Sequence, residues 1–195
     1  MSADLPLTPE ILLRGYANGV FPMADSADDD DVYWVQPQMR GILPLNGFHV
    51  SRSLRRAINR ADYTITFDTQ FDDVVRGCAD RNETWINAKI FKQYQHLHSI
   101  GHAHSIEISR DGALIGGVYG VTLGSAFFGE SMFSRATNAS KIALFHLVNH
   151  LTARGFTLFD TQFQNPHIAS LGVIEITQEA YLKLLETALQ KTARF

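Results

Sequence analysis

Two carboxylates in the second half of the chain lie beside apolar segments, where acid–base chemistry could take place. Glu130 interrupts the mostly apolar residues 127–134, and Asp160 directly follows the mostly apolar residues 156–159. An unpaired charge is costly to bury, so such a residue is usually paired, exposed or functional. Gln162 follows Asp160 by two residues and would point to the same side of a continuing strand. An amide can both donate and accept hydrogen bonds, so beside carboxylates it could align polar groups of a substrate and assist a proton transfer.

The same polar residues also have a structural interpretation. Glu130 and Asp160 could be ion-pair partners of arginines or helix caps, and the local sequence does not decide between the two roles. Ser131 and Asn165 could contact a substrate, but a role in a turn or a cap fits them equally well. The two carboxylates are therefore candidates for catalysis, and the groups that surround each of them decide between a catalytic and a structural role.

Apolar and aromatic side chains could form the walls of a substrate pocket near these groups. Phe127 and Met132 flank Glu130, and a methionine adapts to ligand side chains of different shapes. Trp34 and Trp85 are the two tryptophans of the chain, and either could stack on a nucleobase. Core packing or a hydrophobic lid is the alternative for each of these residues.

Composition is typical of an ordinary globular protein. The chain has 195 residues, of which 45% are hydrophobic and 19% charged, which suits one domain or one domain with a small appendage. No apolar run reaches the ~18 residues of a membrane helix, and we find no signal peptide, so we expect no membrane association. The single cysteine, Cys78, fits a cytoplasmic protein. Eight histidines without a zinc motif predict no metal site.

Charge is distributed unevenly along the chain. The net charge of −3 does not indicate a nucleic-acid-binding protein. Residues 49–60, however, contain four arginines and no acidic residue. Arg52, Arg55 and Arg56 in this segment could contact a phosphate backbone, although a solvated helix face is the alternative.

Capping residues and hydrophobic periodicity predict the elements that position these candidates. We predict helices at residues 9–17, 51–59, 71–79, 87–100, 141–153 and 177–189. We predict strands at residues 32–35, 41–43, 63–67, 103–109, 114–123, 126–129 and 156–159. The three strands between residues 103 and 129 should form an antiparallel meander. The change of pattern near residue 62 suggests a small N-terminal α/β domain, 1–61, and a catalytic domain, 62–195.

Several short motifs, taken in order, resemble the leucyl/phenylalanyl-tRNA–protein transferase family. The most specific are FFGESMFS at residues 127–134, NASK at 138–141 and DTQ at 160–162. Weaker matches in the same order lie at residues 19–23, 49–54, 84–86, 101–105 and 116–120. Together the motifs span roughly residues 12 to 175, which is nearly the whole chain.

The resemblance implies both a fold and a reaction. The fold would be an α+β core with a mixed sheet, as in the GNAT superfamily of N-acetyltransferases. The reaction would transfer Leu, Phe or Met from aminoacyl-tRNA to the α-amine of proteins with N-terminal Lys or Arg, marking them for N-end rule degradation. Asp160 would accept or orient the proton of the amine, Gln162 would align the substrates, and Glu130 would attract the cationic acceptor. Trp34 and Trp85 match tryptophans of the family.

Coenzyme A is a less suitable donor. GNAT enzymes that use it carry a glycine-rich turn before a helix, whereas residues 135–141 contain no glycine. We therefore expect no cofactor. A coenzyme A-dependent N-acyltransferase and a non-catalytic adaptor for N-terminal Lys or Arg are the two alternative functions.

Overall fold

The computed structural model describes residues 7–29 and 31–195. Within these ranges the helices are Pro9–Ala17 (α1), Arg52–Arg60 (α2), Phe71–Ala79 (α3), Ala88–Ser99 (α4), Ala139–Ala153 (α5), Pro166–Ala169 (α6) and Gln178–Leu189 (α7). The strands are Phe21–Met23 (β1), Tyr33–Val35 (β2), Met39–Ile42 (β3), Thr64–Phe67 (β4), Ala103–Arg110 (β5), Ala113–Leu123 (β6), Ala126–Ser134 (β7), Leu158–Gln162 (β8) and Ile174–Thr177 (β9).

Every predicted helix is present, and the predicted meander is confirmed as β5, β6 and β7. Helix α1 begins as the sequence indicates, because Thr8 accepts a hydrogen bond from the N–H of Ile11 and Pro9 occupies the first turn. Strand β7 extends five residues beyond the predicted end at 129, because polar residues interrupt its apolar pattern without ending its pairing. The short elements β1, α6 and β9 were not predicted.

The main sheet has seven strands in the order β4-β5-β6-β7-β8-β3-β9, and β1 and β2 form a separate two-stranded sheet. All neighbouring strands in the main sheet are antiparallel except β7 and β8, which are parallel. The predicted α+β fold with a mixed sheet is therefore confirmed.

Strand β3 comes from the N-terminal part of the chain but lies between β8 and β9 in the main sheet. It thereby brings Arg40 within hydrogen-bond distance of Asp160, which lies in the middle of β8. The division of the chain at residue 61 stays a prediction.

The core covers both faces of the main sheet. Because successive side chains of a strand point to opposite faces, Phe127 and Phe128 of β7 belong to different hydrophobic clusters. Helices α1, α3, α4 and α7 contribute buried side chains to the cluster with Phe128, whereas α2 and α5 contribute to the cluster with Phe127. The middle strands are thus buried on both sides.

Strands β7 and β8 separate in the middle of the sheet. Their pairing ends at Phe128 opposite Asp160, although β7 continues to Ser134 and β8 to Gln162. Beyond that point β8 pairs with Gly41 of β3. A cleft therefore opens between two central strands, and the candidate residues lie on its two edges.

Candidate active site

A β-bulge directs Glu130 into the cleft. Ser131 pairs with Tyr119 and Gly129 pairs with Gly120, so Glu130 has no partner on β6 and the register shifts at this point. A bulge bends its strand and redirects a side chain, and bulges are common beside active sites. The predicted strand ended at residue 129, and the irregular pairing of β7 occurs directly after that residue.

The cleft holds a cavity of about 300 Å³, at the lower end of the range for small-ligand sites. Apolar side chains from β6, β7, β8, α5, α6 and the segments that follow β3, β8 and α6 form most of its wall. These are Leu43, Val118, Met132, Leu144, Phe159, Phe163, Ile168, Leu171 and Val173. Polar groups are few: Glu130 is the acidic side chain and Arg81 the basic one among the lining residues.

Glu130 is buried and accepts hydrogen bonds only from uncharged groups. The hydroxyl of Tyr16 donates to Oε1 at 2.7 Å, and the hydroxyl of Tyr94 donates to Oε2 at 2.7 Å. The side-chain amide of Gln162 also donates to Oε1, at 3.0 Å. No arginine, lysine or histidine forms an ion pair with Glu130 within residues 7–29 and 31–195.

This environment raises the pKa of Glu130 from its ordinary value of 4.5 to about 7. Burial is the largest cause, because it removes water from the charged form. Hydrogen bonds from Tyr94, Tyr16 and Gln162 stabilise the charge and oppose the shift, but they do not cancel it. The carboxyl of Glu130 can therefore change its charge near neutral pH.

Asp160 has the opposite environment. Its side chain is 0% exposed, and the Arg40 guanidinium donates from Nε to Oδ1 at 2.9 Å and from Nη2 to Oδ2 at 2.6 Å. The hydroxyl of Tyr181 donates to Oδ2 at 2.7 Å, and the backbone N–H of Gln162 donates to Oδ1 at 2.7 Å. Both carboxylate oxygens are thus occupied by protein groups, and Asp160 does not line the cavity.

Arg40 is itself held firmly in the core. Its guanidinium lies 4.6 Å from the ring centroids of both Phe21 and Tyr181, and Nη1 donates to the carbonyl of Gly19 at 3.1 Å. Burial lowers the pKa of Arg40, but the charge and hydrogen bonds of Asp160 outweigh this effect and raise it. The pair is a neutralised unit that connects β3, β8 and α7.

Gln162 joins the two carboxylates. Its backbone adopts a left-handed conformation with φ of 62°, which a non-glycine residue rarely takes without support. The hydrogen bond from its N–H to Asp160 supplies that support, while its side chain reaches Glu130. Gly41 lies opposite, and a Cβ there would lie 2.7 Å from the Phe163 carbonyl oxygen, so only glycine allows this close approach.

The structure places four of the predicted substrate contacts at the cavity. Met132, Ser131, Trp85 and Asn165 all line it, together with Glu130 and Gln162. Asn165 also caps α6 through a hydrogen bond from the N–H of Ile168 to its Oδ1 at 3.1 Å. The catalytic and binding roles of these residues stay predictions.

Two other candidates lie elsewhere. Phe127 is buried behind the cavity wall, where its ring packs edge-on against Phe159 at a centroid distance of 5.1 Å. Trp34 lies on β2, partly exposed, with its ring so close to Gly15 that a Cβ there would collide with it. Neither residue lines the cavity. Direct contact of Trp34 with a substrate would require the substrate to extend beyond the cavity.

The basic segment forms the exposed face of α2. Ser51 caps this helix, and Leu54 and Ala57 face the core. Arg52, Arg55 and Arg56 are exposed and form no ion pair within the described ranges. A solvated helix face and a phosphate-binding face both remain consistent with this position.

Several residues at the site were not singled out from the sequence. Arg40, Tyr181, Tyr16 and Tyr94 complete the two carboxylate environments, yet they lie 21 to 120 positions away from their partners. Thr161 lines the cavity, and its Oγ1 is buried without a hydrogen-bond partner in the part of the chain that the structure describes. Only the alternation of β8 could have indicated Thr161, and no local signal indicates the others.

The described residues contain neither a membrane-spanning helix nor a metal-binding cluster. No helix within residues 7–29 and 31–195 is long and apolar enough to cross a membrane. No group of three or more histidine, cysteine, aspartate or glutamate side chains in those ranges could hold a metal ion.

At the start of α5, Asn138 adopts a left-handed conformation with φ of 67°, in the turn where a glycine would be expected in coenzyme A-dependent enzymes.

Solved structures include one with a similar fold. The crystal structure of FemX superposes with a TM-score of 0.57 at 13% identity, covering 91% of this chain and 71% of that chain. At this low identity the likeness concerns the fold alone. It agrees with the predicted α+β fold with a mixed sheet.

Sequence relatives are much closer. The family model of the leucyl/phenylalanyl-tRNA protein transferase matches residues 42–186, and the model of its N-terminal domain matches residues 6–38. A leucyl/phenylalanyl-tRNA–protein transferase of Cereibacter sphaeroides is 60% identical, covering 97% of this chain and 88% of the relative. One of Ruegeria pomeroyi is 58% identical, covering 98% and 91%. These matches extend over both edges of the cleft, and the chain belongs to the leucyl/phenylalanyl-tRNA–protein transferase family.

Proposed function

We propose that this protein transfers an aminoacyl group, leucyl or phenylalanyl, from tRNA to the α-amine of an acceptor protein. The observation that carries the proposal is the parting of β7 and β8, across which Glu130 and Gln162 are hydrogen-bonded at 3.0 Å. An apolar wall and a small polar centre meet there in one cavity. Family membership supports the same reaction.

The donor side chain occupies the apolar part of the cavity. Met132, Leu144 and Phe159 form a wall without charged groups, which suits a leucyl or phenylalanyl side chain. A flexible methionine accommodates both shapes, and such a pocket separates near-isosteres by only ~1–3 kcal/mol per methylene. Trp85 at the same cavity stacks on the terminal adenine.

The acceptor amine lies at the polar centre. The amide nitrogen of Gln162 is committed to Glu130, so its amide oxygen faces the amine as an acceptor. Glu130 in its ionised form attracts the cationic N-terminus, and it is the acid that lines the cavity. This polarity supports acceptors that begin with Lys or Arg.

The reaction requires alignment more than strong base catalysis. An α-amine has a pKa of about 7.7–8.0, so a useful fraction is already neutral at pH 7. The amine nitrogen attacks the ester carbonyl, a C–N bond forms, and the ester C–O bond breaks. The amine proton passes to the ribose oxygen that leaves, either directly or by way of Glu130, so the product tRNA carries a free hydroxyl. Holding both reactants in place supplies most of the acceleration.

Asp160 serves this arrangement indirectly. Because both its oxygens are occupied, it orients Gln162 through the backbone N–H rather than taking the proton itself. Arg40 and Tyr181 hold that carboxylate in place. Asp160 is thus a positioning residue for the amide that contacts the substrate.

The tRNA donor is much larger than the cavity and also contacts the protein surface outside it. The exposed arginines Arg52, Arg55 and Arg56 of α2 contact the phosphate backbone of the tRNA, and the contact weakens with salt. We place the reaction in the cytoplasm, where charged tRNA is available and a lone thiol such as Cys78 stays reduced. The leucylated products would enter N-end rule degradation.

The test is a transfer assay with radiolabelled Leu-tRNA and two peptides that differ only in beginning with Arg or Asp. We expect label in the Arg peptide alone. Label in both peptides would retain the reaction and overturn the acceptor assignment. Label in neither, with thermal stabilisation by coenzyme A, would favour the coenzyme A-dependent enzyme. Peptide binding without transfer would favour the adaptor.

A further inference from the structure

Arg81 is a cation at the mouth of the reaction cavity that no step above uses. It lies just after α3, is exposed to solvent and lines the same cavity as Glu130 and Gln162. Its guanidinium is held from two sides: Nε donates to the carbonyl of Cys78 at 2.6 Å, and Nη2 donates to Oγ of Ser131 at 2.6 Å. These two hydrogen bonds fix the orientation of the guanidinium at the mouth of the cavity.

The charge of Arg81 is not neutralised by an ion pair within residues 7–29 and 31–195. Asp80 is its chain neighbour and Glu83 lies two residues on, but neither forms an ion pair with it in those ranges. Since an arginine has five N–H donors in a planar fork, the remaining donors can bind an anion. The planar geometry suits phosphate or carboxylate oxygens.

The two ends of the cavity therefore have opposite charge. Glu130 is 8% exposed at the inner end, whereas Arg81 lies at the exposed end beside Ser131. A cationic acceptor with N-terminal Lys or Arg is repelled by Arg81 and attracted by Glu130. The substrate that approaches along Arg81 must be the anionic one, which is the tRNA donor.

A second depression continues from this point. It encloses about 300 Å³ and shares Arg81 and Met132 with the reaction cavity. Arg135 lines it as well, with its guanidinium 5.1 Å from the centroid of the Phe133 ring and Nη1 donating to the Leu114 carbonyl at 3.4 Å. Asp80 is the acidic lining residue, so the two arginines outnumber it.

We propose that Arg81 and Arg135 line a phosphate-binding groove for the single-stranded 3′ end of the donor. Arg81 contacts the 5′-phosphate of the terminal adenosine, whose base lies against Trp85 at the same cavity. Arg135 contacts the next phosphate along the strand. This inference rests on the proposed function, because it assigns the position of that reaction's donor.

The experiment compares three leucyl donors: leucyl-adenosine, leucyl-adenosine 5′-monophosphate and Leu-tRNA. Arg81→Gln should lower kcat/KM by on the order of tenfold to a hundredfold with the two phosphorylated donors, as expected for lost hydrogen bonds to a charged group. With leucyl-adenosine the same variant should match the wild type. Arg76→Gln is the control, because Arg76 is an exposed arginine of α3 that pairs with Asp72 and Asp73 and lines neither depression.

A structural defect would give a different pattern. An equal loss with phosphorylated and unphosphorylated donors, or no loss with either, would overturn the phosphate contact. Arg81→Lys keeps the charge but not the fork, so it should retain part of the preference if the variant folds, as checked by thermal unfolding. Arg135→Gln should reduce activity only with donors that carry a second phosphate, such as leucyl-cytidylyl-adenosine 5′-monophosphate.

A binding measurement separates this inference from the proposed function. Calorimetric titration with adenosine 5′-monophosphate and with adenosine requires no turnover. The wild type should prefer the monophosphate, and Arg81→Gln should bind both about equally. No preference in the wild type would overturn the groove, whereas a preference without transfer from any donor would retain the groove and reject the transferase reaction.

Discussion

The two buried carboxylates Glu130 and Asp160 lie on neighbouring strands, β7 and β8, but have contrasting partners. Asp160 faces a buried arginine, a tyrosine hydroxyl and a backbone N–H, and its charge is neutralised. Glu130 faces two tyrosine hydroxyls and an amide, and its charge is not neutralised by a cation within the described ranges. Gln162 contacts both of them.

This contrast indicates a division of labour. A neutralised, fully coordinated carboxylate is suited to hold other groups in position, because neither of its oxygens is available to a ligand. A carboxylate with a pKa of about 7 and only neutral donors is suited to receive a cation or a proton from a substrate. Because the ionised form of Glu130 has no cationic partner in the described residues, a cationic acceptor that binds there would stabilise its charge.

The largest effect should follow from breaking the neutralised pair. Arg40→Met leaves Asp160 buried and unpaired, and we expect a loss of about 3–5 kcal/mol in the free energy of unfolding. The double variant Arg40→Met with Asp160→Asn should recover much of that loss, because no buried charge remains. Chemical denaturation of the two variants measures both values. Equal stability of the single and double variants would contradict the account of a neutralised pair.

Removing the charge of Glu130 should mainly affect activity. Glu130→Gln keeps the shape of the side chain, and we expect kcat/KM to fall about 10²-fold at pH 8. In the wild type, kcat/KM should rise through about pH 7 as Glu130 ionises, in addition to the deprotonation of the acceptor amine. The variant should lack the rise near pH 7 and retain only that of the amine. A pH profile shared by both proteins would refute the role of Glu130.

Glu130→Gln removes a buried charge that lacks a cationic partner, so its effect on the free energy of unfolding should be opposite in sign to that of Arg40→Met. The folded-state pKa of Glu130 is raised, so its protonated form favours folding below about pH 4.5, and this advantage is lost as pH rises to about 7. The stability of the wild type relative to Glu130→Gln should therefore fall between these pH values and then level off. Denaturation at pH 4.5 and pH 8 tests the sign.

A smaller effect is expected from one hydroxyl group. Tyr94→Phe removes the hydrogen bond to Oε2 of Glu130, so the pKa of Glu130 should rise by about one to two units. The pH profile of kcat/KM should shift to higher pH accordingly. Tyr119→Phe is the matched control, because the buried Tyr119 hydroxyl has no hydrogen-bond partner in the described residues. Identical profiles for the two variants would show that the Tyr94 hydroxyl does not stabilise the charge.

The smallest effect should arise far from both carboxylates. Replacing Arg55 and Arg56 by alanine should weaken Leu-tRNA binding and reduce its salt slope by up to about 2, without changing the pH profile that belongs to Glu130. Filter binding at several salt concentrations measures the slope. Arg76→Ala provides the control, and an unchanged slope in the double variant would identify α2 as a merely solvated helix.

The sequence predicted local features well and partners poorly. Caps such as Thr8 and Ser51 mark helix starts because they act within four residues of chain. Glu130 and Asp160 could be singled out because each departs from an apolar pattern, and Gln162 by its spacing. Their different environments could not be predicted, since Tyr16 is 114 positions from Glu130 and Arg40 is 120 positions from Asp160. Only the insertion of β3 beside β8 brings Arg40 into place.

Direct titration of Glu130 is the most decisive measurement. Carbon-13 NMR of protein labelled at the glutamate side-chain carboxyls follows each ionisation, and the Glu130→Gln spectrum identifies the signal that belongs to Glu130. We predict a midpoint near pH 7 for this signal. A midpoint near the ordinary value of 4.5 would contradict the distinction between the two carboxylates, because Glu130 would then carry a fixed charge throughout the neutral range.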